Sequence, residues 1–186
     1  LSGQRRPGLP VEEGIKRVVS AIEDCLKEAE KYNIKIVIEN HYKDGYWKYP
    51  EFAQKKDVFL QIINRIDSPL FGIQFDPSNA IVAGDDPLEL LDAISGRVMT
   101  MHASDRYLKE GTTLEELKQS DGSIGYSENL CHGVTGKGLN DYEGIFERLK
   151  KAEFRGWISI EDGMNGMEEM KESIDFLKRM RQTYFA

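Results

Sequence analysis

Four short runs rich in β-branched and aromatic residues alternate with segments of helical periodicity, and this rhythm constrains the fold more than any other feature of the chain. The runs are IKIVIEN at 34–40, LFGIQFD at 70–76, RVMTMHASD at 97–105 and GWISIED at 156–162. Before the first, residues 11–31 set Ile15, Val18, Val19, Ile22, Leu26 and Ala29 at helical spacing, with acids early and lysines late as the helix dipole prefers. PEFAQKKDVFLQIINRI at 50–66 predicts a helix with Pro50 in its first turn, and PLELLDAIS at 87–95 one capped by Asp86. DYEGIFERLKKA at 141–152 and MEEMKESIDFLKRMRQTYF at 167–185 predict two more, while residues 106–140 read as a long glycine-bearing loop with a helical turn near 114–118. Strand and helix in alternation predict an α/β fold with a parallel sheet, wound open or as a barrel.

The 186 residues, 40% hydrophobic and 31% charged, suffice for one core, so a single domain over 1–186 is expected. A net charge of -7 disfavours a nucleic-acid partner, which normally meets a basic face, and favours a small neutral or polar ligand. No apolar run reaches the length of a membrane span, and LSGQRRPGLP has no signal core. Cys25 and Cys131 form neither a disulfide framework nor a CxxC site, which points to reduced thiols and a cytoplasmic setting.

Alternate side chains of a strand point to opposite faces, so parity assigns each residue a side. Ile34, Ile36 and Ile38 oppose Val37 and Glu39; Phe71, Ile73 and Phe75 oppose Gly72, Gln74 and Asp76. Val98, Thr100 and His102 oppose Met99 and Met101, and Ile158 and Ile160 oppose Trp157, Ser159 and Glu161. One face ends, strand by strand, in Glu39, Asp76, His102 and Glu161. Parallel strands gather their carboxyl ends at one mouth, where three carboxylates repel unless a cation neutralises them. Three carboxylates and one imidazole therefore predict a site for one divalent metal ion, with Mn²⁺, Mg²⁺ or Co²⁺ suiting the oxygen-rich set better than Zn²⁺.

The stretches IVIENH, GIQFDPSNA, MHASDR and HGVTGKGLNDYEGIFERLKKAEFRGWISIEDG resemble, in order and spacing, the last four strands of the xylose-isomerase-like TIM-barrel superfamily, in particular its sugar phosphate isomerase/epimerase members. The resemblance implies a (β/α)₈ barrel of which this chain supplies the C-terminal half. It also implies metal ligation by Glu39, Asp76, His102 and Glu161, with Glu39 and Glu161 flanking the carbon whose proton is moved. The same chemistry follows from the residues: moving a hydrogen next to a carbonyl needs a base, an acid and a positive centre for the developing oxyanion, and two carboxylates beside a metal supply all three. A sugar or polyol is the implied substrate. Asp162 is expected to face outward as a loop or capping carboxylate.

Further residues are candidates for substrate contact. Arg106 resembles the family's substrate-binding arginine, with a salt bridge to Asp105 or Glu110 as the structural alternative. His41, Tyr42, Tyr46 and Trp47 crowd the loop after the first strand, where aromatic faces either stack on sugar rings or pack as a lid over the site mouth. Asn79 stands where several relatives carry a histidine, His132 lies in a loop that can line the site, and Lys137 stands where relatives often have an acid.

Four strands, with the tail of a fifth in LSGQ, are fewer than a barrel needs. The expectation is that the protein continues upstream of Leu1, or else that two chains complete one another as a homo-oligomer. Two other functions stay open: an endonuclease IV-like DNA-repair enzyme on the same barrel, and a non-catalytic carbohydrate-binding half-barrel.

Overall fold

The computed structural model of the chain describes residues 1–43, 47–121, 128–161 and 165–185. Helix α1 (Val11–Tyr32) carries Glu12 and Glu13 in its first turn and Lys31 in its last, and it stops where Asn33 turns left-handed at φ 51°. Strand β1 (Ile36–Glu39), helix α2 (Lys56–Ile63) and strand β2 (Phe71–Phe75) follow. Helix α3 (Pro77–Ala83) leaves β2 directly, and α4 (Pro87–Ile94) starts behind Asp86, whose side chain accepts from Leu88 N and Glu89 N. A single 3₁₀ turn leads into β3 (Val98–Ala103). The remaining elements are β4 (Arg106–Leu108), α5 (Leu114–Asp121), β5 (Leu130–His132), α6 (Tyr142–Lys151), β6 (Trp157–Ile160) and α7 (Met167–Phe185). No helix among the described residues is long and apolar enough to cross a membrane.

The main sheet has strand order β1-β2-β3-β6 and all three pairings are parallel. Phe71, Ile73, Phe75, Met101 and Ala103 turn one face onto Ile62, Ile63, Leu90, Leu91, Ile94, Ile145, Phe146 and Leu149. Each large side chain buried there contributes roughly 1.5–3 kcal/mol, so this face decides the register. Gly72, Gln74, Thr100, His102, Trp157 and Ser159 occupy the other face. The register shifts between Ile73 and Gln74, so that Ile73 pairs with Val98 but Gln74 with Thr100. Met99 is the extra residue of this bulge. It therefore lies over Gly72 on the site face, and Val98 packs against the core, which reverses the parity expected for both.

Three other expectations are corrected. The second helix begins at Lys56, because residues 50–53 lie alongside the N-terminal segment: Arg5 N donates to Pro50 O and Phe52 N to Gly3 O. LSGQ meets this same stretch through an antiparallel bridge of Gln4 with Glu51, so it adds no strand to the parallel sheet. Residues 106–140 are not one long loop, since β4 and β5 pair antiparallel, with Cys131 in the second strand. Both cysteines are free thiols.

Candidate metal centre and active site

Each of the four strands of the main sheet delivers one ligand-type side chain from its carboxyl end. Glu39 closes β1, Asp76 follows β2, His102 is the penultimate residue of β3, and Glu161 follows β6. Ligand atoms of these four side chains all lie within 4.8 Å of one another. The imidazole is the hub: His102 Nδ1 stands 2.9 Å from Glu161 Oε2, 3.3 Å from Glu39 Oε1 and 3.8 Å from Asp76 Oδ2. Its pKa is pushed up to about 12 by the carboxylates of Asp76, Glu161 and Glu39, so the imidazolium is the positive centre of the cluster. The Glu161 carboxyl is held below the usual carboxylate range, chiefly by His102.

The backbone fixes Asp76 most firmly. It caps α3, with Oδ1 accepting from Asn79 N at 3.0 Å and from Ser104 Oγ at 2.8 Å, and Pro77 fits the first helical position. Asn40 Nδ2 donates to Asp76 O and Asp76 N donates to Asn40 Oδ1, which prolongs the β1–β2 pairing past the strand ends. With Oδ1 occupied, Oδ2 is the oxygen that turns toward His102. Glu39 Oε1 accepts from Asn79 Nδ2 at 3.1 Å. Glu161 is the least enclosed member, its side chain 56% exposed against 2% for Asp76.

A second pair lies beside the cluster. His41 Nδ1 meets Glu51 Oε2 at 2.7 Å, and the buried Glu51 carboxylate also accepts from Ser2 N and Ser2 Oγ. Burial opposes charge on His41, yet Glu51 outweighs it and raises the imidazole pKa; burial likewise opposes charge on Glu51, and His41 and Ser2 together hold its pKa low. Glu51 pins the ring by Nδ1 and so leaves Nε2 as the nitrogen it can present to a ligand.

Other expected site residues have different surroundings. Asn79 is directed at Glu39 and is buried. Arg106 and His132 are cross-strand partners in the β4–β5 ladder that follows β3, and Arg106 is buried. Among the described residues no ion pair joins Arg106 to Asp105; Asp105 instead accepts from the backbone N–H groups of Arg106, Gly136, Gly138 and Asn140. Tyr42 belongs to an apolar cluster with Ile81, Val82, Leu117 and Leu130, so it packs rather than stacks. Trp47 is half-buried in the loop after β1, and Lys137 is paired with Glu172 on the surface. Tyr46 and Asp162 lie outside the described residues. The sequence reading passed over Asn40, Ser104 and Glu51. Of these, only Asn40, next to Glu39 in the ENH triplet, carried a local signal.

The residues present fit a divalent cation on their own chemistry: three carboxylates and an imidazole converge, and a proton on His102 now holds them together. Comparison with known proteins shows the family. A profile of the xylose isomerase-like TIM barrel family matches residues 1–180. The 3-oxo-isoapionate decarboxylase of Pectobacterium atrosepticum is 28% identical over 128 residues, 69% of this chain and 39% of that protein. The inosose dehydratase of Clostridium beijerinckii is 26% identical over 152 residues, 81% of this chain and 47% of that protein. The chain thus spans less than half the length of these two curated relatives. Among solved structures, a D-tagatose 3-epimerase-like protein superposes with a TM-score of 0.72 at 23% identity, covering 98% of this chain and 60% of that one. The IOLI protein with a bound zinc atom gives 0.72 at 18% identity, covering 99% and 62%. At these identities the two structures speak for the fold alone. With the profile spanning nearly all of the chain, and four parallel strands that place their polar ends at one mouth, the chain belongs to the xylose isomerase-like TIM barrel family.

Proposed function

We propose that the chain carries the active centre of a sugar-modifying enzyme that holds one divalent cation on Glu39, Asp76, His102 and Glu161 and moves a proton next to a carbonyl between Glu39 and Glu161. The observation that carries this reading is the convergence of those four side chains from four parallel strands. A cation bound there would lend positive charge to the carbonyl and hydroxyl oxygens of a substrate. Glu39 and Glu161 come from the two outer strands, with Asp76 and His102 between them, so a substrate lying over the cation would meet a carboxylate on either side. One carboxylate takes the proton α to the carbonyl. The other returns a proton to the same carbon from the opposite face, which epimerises it, or to the neighbouring carbon, which isomerises aldose and ketose. His41, held by Glu51, together with Trp47, Arg106 and His132, supplies contacts to the hydroxyls and ring of a sugar or polyol. The oxygen-rich donor set favours Mn²⁺, Mg²⁺ or Co²⁺ over Zn²⁺. A single imidazole in the cluster and a net charge of -7 favour a sugar over duplex DNA.

One observation favours a second reading, dehydration of a polyol ketone: inosose dehydratases recur among the curated relatives. The first step is the same proton abstraction. The hydroxyl on the next carbon then leaves as water, with its proton supplied by the second carboxyl group, and a double bond remains.

The test is hydrogen exchange. The metal-loaded protein, given a panel of ketoses and polyol ketones in deuterated water, is expected to exchange one carbon-bound proton of its substrate, read by NMR. Glu39→Gln and Glu161→Gln each reduce the rate by about 100-fold or more, and Asp76→Asn loses bound metal on dialysis. Exchange without change of configuration but with growing enone absorbance selects dehydration. Absence of exchange across the panel, or metal content unchanged in Asp76→Asn, overturns the assignment.

A further inference from the structure

The four converging side chains are not held alike, and one neighbouring residue accounts for much of the difference. Asn79 touches two of them at once. Its side-chain amide donates to Glu39 Oε1 at 3.1 Å and its backbone N–H donates to Asp76 Oδ1 at 3.0 Å. It sits in the first turn of α3, all seven residues of which are buried, so it has little room to move. The platform is anchored from two further sides: Asn140 Nδ2 donates to Ser78 Oγ, and Ile81, Val82 and Ala83 pack in the second apolar cluster. Glu161, by contrast, is more than half exposed.

We propose that Asn79 is the positioning residue of the metal centre, aiming Glu39 and holding it beside Asp76 as a preformed half of the ligand set. This rests on the metal reading of the cluster. Through its side-chain N–H group Asn79 orients a ligand carboxylate. A preoriented carboxylate has less freedom to lose on binding, which is where the gain in affinity arises.

Mn²⁺ binding measured by electron paramagnetic resonance tests this without any substrate. The native chain is expected to bind one Mn²⁺ with a single bound spectrum. Asn79→Ala and Asn79→Leu, the second preserving bulk without a donor, are expected to weaken binding about 10- to 100-fold and to broaden the spectrum as Glu39 samples several orientations. Melting of the metal-free variants separates positioning from folding: the proposal requires the affinity loss in a variant that melts as cooperatively as the native chain. Unchanged affinity and spectrum in a folded Asn79→Leu overturn it while leaving the metal centre intact. A native chain that binds no Mn²⁺ overturns the metal reading and this proposal together.

Discussion

On the proposed reading, a divalent cation would take the electrostatic place that a proton on His102 holds. With its pKa pushed up to about 12 from 6.5, the imidazolium stabilises the metal-free fold fully below about pH 6.5, and that contribution is lost as pH rises toward 12. Glu161 works in the other direction: its lowered pKa adds stability that is present above 4.5 and lost as pH falls below it. The melting temperature of the metal-free protein is therefore expected to decline from pH 6.5 to 9.5. If His102 ligates a cation as proposed, binding would displace its proton, so affinity is expected to rise over the same interval, by up to about tenfold per pH unit for one proton. Calorimetric titrations in buffers of different ionisation enthalpy measure the proton released; an affinity flat with pH, with no proton released, refutes the assignment of His102. At this scale the four converging side chains were legible in the sequence, because a period of two and a strand end suffice to place Glu39, Asp76, His102 and Glu161. The residues that hold them were not. Asn40 and Ser104, which hold Asp76, and Glu51, which holds His41, act through the path the chain takes between strands, which no periodicity encodes.

Between the strands, the described stretch just before α6 is organised by one carboxylate. Asp105, fully buried, accepts four backbone N–H groups and Asn140 Nδ2, gathering residues 136–140 beneath the end of β3. Gly138 belongs to this arrangement, for a Cβ there would fall 2.2 Å from Arg106 O and 2.4 Å from Asp105 Oδ1. Asp105→Ala leaves these buried donors without their acceptor and is expected to cost on the order of 3 kcal/mol or more, read as a lowered denaturation midpoint with faster amide exchange at residues 136–140. Exchange unchanged there would show that the loop is held by other contacts, such as Thr135 Oγ1 to Ala103 O. The elements most visible in the sequence were the long amphipathic helices α1, α6 and α7 and the strand cores. α3 was missed because seven wholly buried residues give no polar face to a period of 3.6, although Asp76-Pro77 at its start and Gly84 at its end are regular helix punctuation. β4 and β5 were missed because three-residue strands are too short for alternation to register. The bulge at Met99 defeated parity on β3, since one inserted residue exchanges the faces of all that precede it.

For the molecule as a whole, the sheet of the described residues has two free edges, β1 and β6. Apolar surface lies along both. Trp157 is 82% exposed, and a cavity of about 440 Å³ beside it is lined by Phe146, Phe154, Ile158, Leu177 and Phe185. At the other edge a cavity of about 350 Å³ is lined by Val18, Ala21, Ile22, Ile36 and Phe71. Barrels of this family close such edges with further strands, and the solved neighbours are longer than the part this chain covers. A polypeptide of these 186 residues alone is thus expected to associate through its edges. A closed pair, each copy completing the other, would bring two sets of three carboxylates to one mouth, and their repulsion opposes it. The expected behaviour is a broad, concentration-dependent mass by light scattering, with binding of an apolar dye. Trp157→Lys, which places a charge on the β6 edge without touching Glu161, shifts the distribution toward the monomer and leaves Mn²⁺ binding in place. A sharp monomer that binds no dye would mean that these edges are already covered by this chain's own residues. A sharp dimer insensitive to Trp157→Lys would mean that the two mouths tolerate each other's charge.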